Sequence, residues 1–404
     1  MFSSRVPSNL DSNALSRALG RARAATRPLL DLTATNPTTA GFDYPETLLA
    51  PLQSREALSY EPSPLGLESA RAAVARDYAR RGVSIPADRI VLTSSTSEAY
   101  SVLFKLLCEP VGDSVLVPIP SYPLFEHLAR LDGVCPVPYR LEYHGRWTID
   151  LAGVEAAWTP RTRAALAVTP NNPTGSWLSE AETQALSVVC ASRGAALILD
   201  EVFADYPLAA PGPESTASAF APRASAGKPR PEARCPMPGS LTFRLGGLSK
   251  SAGLPQVKLG WIGIEGPDEE VGRALERLAY ICDAYLSVST PVQIAAPRLL
   301  TEAEGVRRQI QERVRANYDS LRDMCGRRPA VELLHADAGW SAVVRVPSRA
   351  SEEEMVLALL ERDAVVVHPG FFFDFPHEAF LILSLLPPRE IFREGISRLL
   401  ERVA

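Results

Sequence analysis

From about position 89 onward, short aliphatic and β-branched runs alternate with segments whose apolar residues recur every three to four positions. This alternation predicts a mostly parallel sheet covered by helices. Strands are expected at 89–93, 114–118, 137–141, 164–169, 196–200, 241–245 and 259–264, and helices at 97–107, 122–131 and 179–192. Together they make one large α/β domain around a seven-stranded sheet. Between 207 and 240 the chain is rich in Pro, Ala, Ser and Gly without periodicity. The strand pattern resumes afterwards, so this stretch is expected to be a surface excursion rather than a domain linker. Positions 290–327 read as one or two long, charged helices leaving the large domain. Positions 331–404 read as strand, helix, strand, strand, helix, a small α+β domain in which Ser351-Glu352-Glu353-Glu354 is a capping box. The expected division is an N-terminal segment 1–50 packing with the small domain, a large domain 51–289, connecting helices 290–327 and a small domain 328–404.

Composition narrows the function. A chain of 404 residues with 46% hydrophobic residues and a net charge of −5 offers no basic face for nucleic acid. No apolar run reaches membrane-span length and the N-terminus lacks a signal-like stretch, so a cytoplasmic protein without membrane or nucleic-acid partners is expected. Six scattered cysteines form no CxxC pair and five histidines form no ligand-spaced set, which disfavours disulfides and metal. His368 is the histidine nearest a turn with functional character. Of 42 basic residues only four are lysine, at 105, 228, 250 and 258. In an arginine-writing chain, a lysine raises the question of what an amine does that a guanidinium does not, and imine chemistry is the main answer.

Ligands of open α/β sheets collect at the carboxyl ends of strands. Four segments fall there. Thr93-Ser94-Ser95-Thr96-Ser97 joins a strand to a helix, and its hydroxyls and free N–H groups suit a phosphate, although such residues also cap helices that bind nothing. Asn171-Asn172-Pro173-Thr174-Gly175 follows the strand at 164–169. Asp200 ends Leu197-Ile198-Leu199, where a carboxylate can pair with a protonated pyridine nitrogen or merely anchor a loop. Lys250 and Lys258 lie in the small-residue segment that runs from Gly247 to Trp261.

In order and spacing, these segments resemble the fold-type I, class I/II aminotransferases that depend on pyridoxal 5′-phosphate, across about positions 30 to 400. The resemblance implies that Lys250 holds the cofactor as a Schiff base and moves the substrate proton, and that Asp200 pairs the pyridine nitrogen. It further implies that Asn172 donates to the ring oxygen, that Tyr122 stacks on the ring, and that Ser95, Thr96, Ser97, Ser249 and Lys258 hold the phosphate. Tyr60 matches a tyrosine that reaches the neighbouring subunit's phosphate, which implies a homodimer with shared active sites. The substrates would be a small-molecule amino donor and a keto or aldehyde acceptor.

The chain departs from the family pattern in four places. Ile382, in Phe380-Leu381-Ile382-Leu383-Ser384, stands where the family carries an arginine for the substrate carboxylate. Phe203 replaces a tyrosine beside the ring oxygen, with Tyr206 nearby, while Lys258 replaces an arginine and Thr35 a glycine. Either the substrate lacks an α-carboxylate or another arginine serves. Arg345, on the strand that begins near Trp340, is the leading candidate for that arginine, and Arg389 is expected at the surface. Thr35, Trp340 and Arg345 are therefore the candidate substrate residues. The alternatives are a lyase or decarboxylase using the same cofactor, and a cofactor-binding protein or regulator without transaminase activity.

Overall fold

The computed structural model describes residues 2–208 and 239–403, so most of the 207–240 excursion lies outside the described residues. In chain order the strands are β1 (Leu30–Asp31), β2 (Ile90–Thr93), β3 (Ser114–Ile119), β4 (Cys135–Tyr143), β5 (Trp147–Ile149), β6 (Thr162–Val168) and β7 (Ala196–Asp200). They continue as β8 (Thr242–Gly247), β9 (Gly260–Glu265), β10 (Glu332–Leu333), β11 (Ser341–Arg345), β12 (Val365–Val366), β13 (His368–Pro369) and β14 (Phe380–Ser384).

The large sheet has the order β2-β9-β8-β7-β6-β3-β4-β5. Its centre, from β8 through β4, is parallel, whereas β9 joins β8 and β2 antiparallel. The seven expected strands are all present. The sheet has eight because β5, three residues long, folds back antiparallel on the far end of β4, and so short a strand shows no alternation in the sequence. Strands β7 and β8 are buried along their whole length and β6 nearly so, as expected where helices cover both faces. The helix Glu180–Ser192 opens on a Ser179–Glu182 capping box.

The predicted charged stretch forms two helices, Thr290–Glu302 and Glu304–Cys325, meeting at Ala303. The second buries Val306, Ile310, Val314 and Leu321, a stripe at helical spacing. A second sheet, antiparallel and in the order β10-β11-β14-β13, follows, and its helix Glu352–Asp363 carries the Ser351–Glu354 capping box. This part holds more strands than the sequence pattern predicts, since β10, β12 and β13 are two residues each. Near the N-terminus β1 pairs in parallel with β12, Leu30 facing Val365. Among the described residues no helix is long and apolar enough to cross a membrane, and no cluster of His, Cys, Asp and Glu is arranged to hold a metal.

Two hydrogen bonds tie the sheets together beside the strand ends. Ser341 Oγ donates to Asn172 Oδ1 at 3.0 Å, and Ser121 N donates to Phe373 O at 3.0 Å. The space between these ties is the site.

Candidate active site

A cavity of about 780 Å³ opens between the carboxyl ends of the large sheet and the face of the small one. That volume is in the upper part of the ~300–1,000 Å³ range of small-molecule sites.

One end is built on the turn from β2 into the helix Thr96–Leu107. Ser95 caps this helix, its Oγ accepting from Glu98 N at 3.1 Å, and Thr96 and Ser97 supply the first turn. The N–H groups of a first turn have no partner within the helix, so the end favours an anion. Gly260 is what lets the turn lie against the sheet: a Cβ there would sit 2.8 Å from Ser95 C and 3.0 Å from Thr96 N. Ser249 and Lys258 line the same cavity. Lys258 is exposed and held in a left-handed backbone at φ 60°.

Asp200 ends β7, where the buried Leu197-Ile198-Leu199 run delivers it to the cavity. Burial pushes its carboxyl up to about 6, against hydrogen bonds that favour the anion. Those bonds come from Tyr100 Oη to Oδ2 at 2.6 Å and from Val202 N to Oδ1 at 3.1 Å. Tyr100 was missing from the sequence reading. Lys250, on the short turn Leu248–Ser251 that follows β8, faces the same space. Its ammonium is disfavoured by burial, which the Asp200 carboxylate partly offsets. Nζ lies 5.9 Å from the centre of the Phe203 ring and 5.3 Å from that of Trp340. Phe203 lines the cavity but Tyr206 does not; its Oη donates instead to Lys250 O at 2.7 Å and Ser251 O at 3.1 Å. Tyr206 thus supports the backbone of the lysine turn.

Asn172 and Tyr122 also line the cavity, Tyr122 half exposed at its mouth. With its Oδ1 engaged by Ser341, the Asn172 amide presents Nδ2 as the free donor. The chain as a whole matches a known family.

It is a member of the class I and II aminotransferases, whose family model matches residues 28–394. The alanine aminotransferase of Mycobacterium tuberculosis is 27% identical over 393 residues, spanning 94% of this chain and 86% of the relative. For the glutamate-pyruvate aminotransferase AlaA of Escherichia coli the identity is 26%, over 89% of this chain and 86% of the relative. Among solved structures, the alanine aminotransferase from Pyrococcus furiosus superposes with a TM-score of 0.82 at 22% identity, covering 100% of this chain and 99% of that one. The protein is an enzyme that transfers amino groups.

The remaining candidates divide. Thr35 and Trp340 line the cavity and Arg345 does not. Arg345 lies on the same face of β11 as Ser341 but four residues further along, roughly 13 Å, where it is exposed and ion-paired with Glu332. The expectation that it contacts substrate is corrected accordingly. Arg389 is exposed at the start of the helix Arg389–Val403, outside the cavity. Tyr60 is 68% exposed and lies at a separate hollow beside Gly66, Leu286 and Ser287. Residues that the sequence reading did not assign to the cavity but that line it include Tyr100, Phe372 and Phe373.

Proposed function

We propose that this aminotransferase works with pyridoxal 5′-phosphate in the cavity, and that the observation carrying the reading is the convergence of Lys250, Asp200 and the Ser95–Ser97 helix start on one space. The donor set fits that cofactor. Ser95, Thr96, Ser97, Ser249 and Lys258 would hold the phosphate. Asp200, with its charge raised in energy by burial, would gain a cationic partner in a protonated ring nitrogen. Asn172 Nδ2 would donate to the ring oxygen and Tyr122 would cover a ring face. Bound there, the cofactor supplies an aldehyde that accepts amines and a ring that withdraws electrons from the adjacent carbon.

Lys250 has two tasks. Its amine, made less basic by burial, would hold the cofactor covalently between turnovers. Displaced by the substrate amine, Nζ would take the proton from the donor carbon and later return one to the acceptor carbon. Across both halves the donor R₂CH–NH₂ becomes R₂C=O, losing two electrons, and the acceptor carbonyl becomes an amine, gaining two. One water enters and one leaves.

A lyase or decarboxylase outcome would use the same residues, and nothing in the cavity favours it over transfer. The reading extends to a homodimer in which Tyr60, exposed on this subunit, reaches the partner's phosphate; its exposure and the exposed Leu58, Tyr285 and Leu286 support it. The acidic composition supports a cytoplasmic location, and the division into 1–50, 51–289, 290–327 and 328–404 remains part of this reading.

The test is spectroscopic. Protein reconstituted with pyridoxal phosphate should be yellow, and borohydride reduction followed by peptide mapping should label Lys250. An amine donor alone should bleach the band and a keto acceptor restore it. A label on Lys258, or a band unmoved by every donor, would sink the proposal.

A further inference from the structure

The cavity has two unlike ends. Its charged lining residues, among the described residues, are Asp200, Lys250 and Lys258, and the proposed cofactor engages all three. The opposite wall is apolar or neutral: Ile382, Phe372, Phe373, Trp340 and His368 from the small-sheet side, with Phe203 from the segment after β7. Ile382 belongs to it, 2% exposed, paired in register with His368 of β13 on one side and Val343 of β11 on the other. It is itself part of an apolar cluster with Trp147, Leu334 and Phe375.

That wall has definite preferences. A carboxylate pressed against it would leave water without a cationic partner, which is strongly unfavourable. The titratable group in register with Ile382 is the His368 imidazole, whose cationic form burial disfavours against the weaker pull of the Asp31 carboxylate. Arg345, a candidate in the sequence, is held at the far end of β11 by Glu332. An aryl or alkyl group in the same place would instead gain by leaving water.

Resting on the aminotransferase reading, we infer that the preferred amino donor is an apolar primary amine whose reacting carbon bears an aryl or alkyl group in place of a carboxylate, seated against Ile382. The corresponding product is a ketone or aldehyde rather than a keto acid. The balance is that of any transamination: the donor carbon gives up its C–H proton to Lys250 Nζ, two electrons and its nitrogen, and takes its carbonyl oxygen from water.

The experiment uses the protein loaded with pyridoxal phosphate and compares the half-reaction with 1-phenylethylamine and 2-phenylethylamine against L-phenylalanine and L-alanine. The amines are expected to bleach the cofactor band with kcat/KM at least about tenfold above the amino acids. A readout without chemistry accompanies it: by calorimetry acetophenone should bind more tightly than phenylpyruvate. Ile382→Arg should reverse both orders, and since the parent comparison stands by itself, a variant that fails to fold does not blunt the test. Amino acids turning over as fast as the amines, or phenylpyruvate binding as tightly as acetophenone, would overturn the inference while leaving the aminotransferase reading intact. A cofactor-loaded protein that reacts with neither class would overturn that reading, and this one with it.

Discussion

Tyr100 Oη donates a 2.6 Å hydrogen bond to Asp200 Oδ2 across a sequence separation of 100 residues. The phenol is buried and held by an edge contact with Phe125, ring centroids 5.2 Å apart, so it reaches the carboxylate already oriented. By favouring the anion it holds down a carboxyl group that burial pushes up. Removing it should therefore raise the Asp200 pKa further. Tyr100→Phe is expected to weaken pyridoxal phosphate retention roughly tenfold, the scale of one hydrogen bond to a charged group. The pH at which retention is half lost should also move upward. Dissociation constants measured between pH 5 and 8 check both, and an unchanged midpoint would show that Tyr100 only fills space.

Asp200 itself sets stability against function. Its folded-state pKa is raised from 3.8 to about 6 by burial, so between those values the folded protein binds more protons than the unfolded one. Stability of the cofactor-free protein therefore falls as pH rises through that window, and the loss is complete above it. Asp200→Asn removes the buried charge. The cofactor-free variant should be more stable than the parent at pH 8 by about 2–3 kcal/mol, with the difference vanishing below pH 4, while its cofactor retention and activity drop sharply. Urea melts at the two pH values measure the first effect, and a variant less stable than the parent at pH 8 would refute it.

How far the sequence revealed the site depends on how local each signal is. The places of Asp200 and Lys250 beside the cavity were legible because Asp200 ends a buried strand and Lys250 lies in the turn just after one, and the strand pattern locates such ends to within a residue or two. Tyr100 was not, since nothing in its own helix announces a partner 100 positions away. Arg345 misled for a related reason. The sequence puts it on the strand that begins near Trp340, but its distance from the cavity and its Glu332 partner are set by the pairing of β10 with β11. The helix Asp268–Asp283 escaped the reading altogether, although it buries Val271, Ala274, Leu278 and Cys282 at helical spacing. The parallel pairing of β1 with β12 joins segments more than 330 residues apart through two residues each, too little for any pattern.

Gly260 gives a steric prediction. A methyl group there would lie 2.8 Å from Ser95 C and 3.0 Å from Thr93 Oγ1 and Thr96 N, so the helix start must move off the sheet. Gly260→Ala should destabilise the protein by about 1–3 kcal/mol and weaken retention of pyridoxal phosphate. Gly272, in the helix Asp268–Asp283 with nothing within 4 Å of its added Cβ, is the control. Gly272→Ala should stabilise by about 0.5–1 kcal/mol and leave the cofactor untouched. Thermal melts and cofactor titrations of the pair decide it, and equal retention by both variants would show that the Ser95–Ser97 turn does not bind the phosphate.

Lys258 separates charge from shape at the phosphate end. Its ammonium is a compact, rotatable point charge, whereas arginine would offer a planar fork of donors. The residue sits at φ 60°, a conformation that strains any side chain other than glycine, and the strain is the same for Ala and Arg at this position. Comparing Lys258→Ala with Lys258→Arg therefore cancels the backbone effect and isolates the cation. Ala should lose retention of pyridoxal phosphate by roughly tenfold or more, the scale of a charge-assisted contact, and the loss should shrink as salt is added if the contact is solvent-exposed. Arg should retain most of the affinity, because the charge survives even if the fork fits less well. Dissociation constants for the three proteins at low and high ionic strength are the measurement. Equal values throughout would make Lys258 a surface charge, and the phosphate would then be held by the hydroxyl and N–H groups of Ser95, Thr96, Ser97 and Ser249 without it.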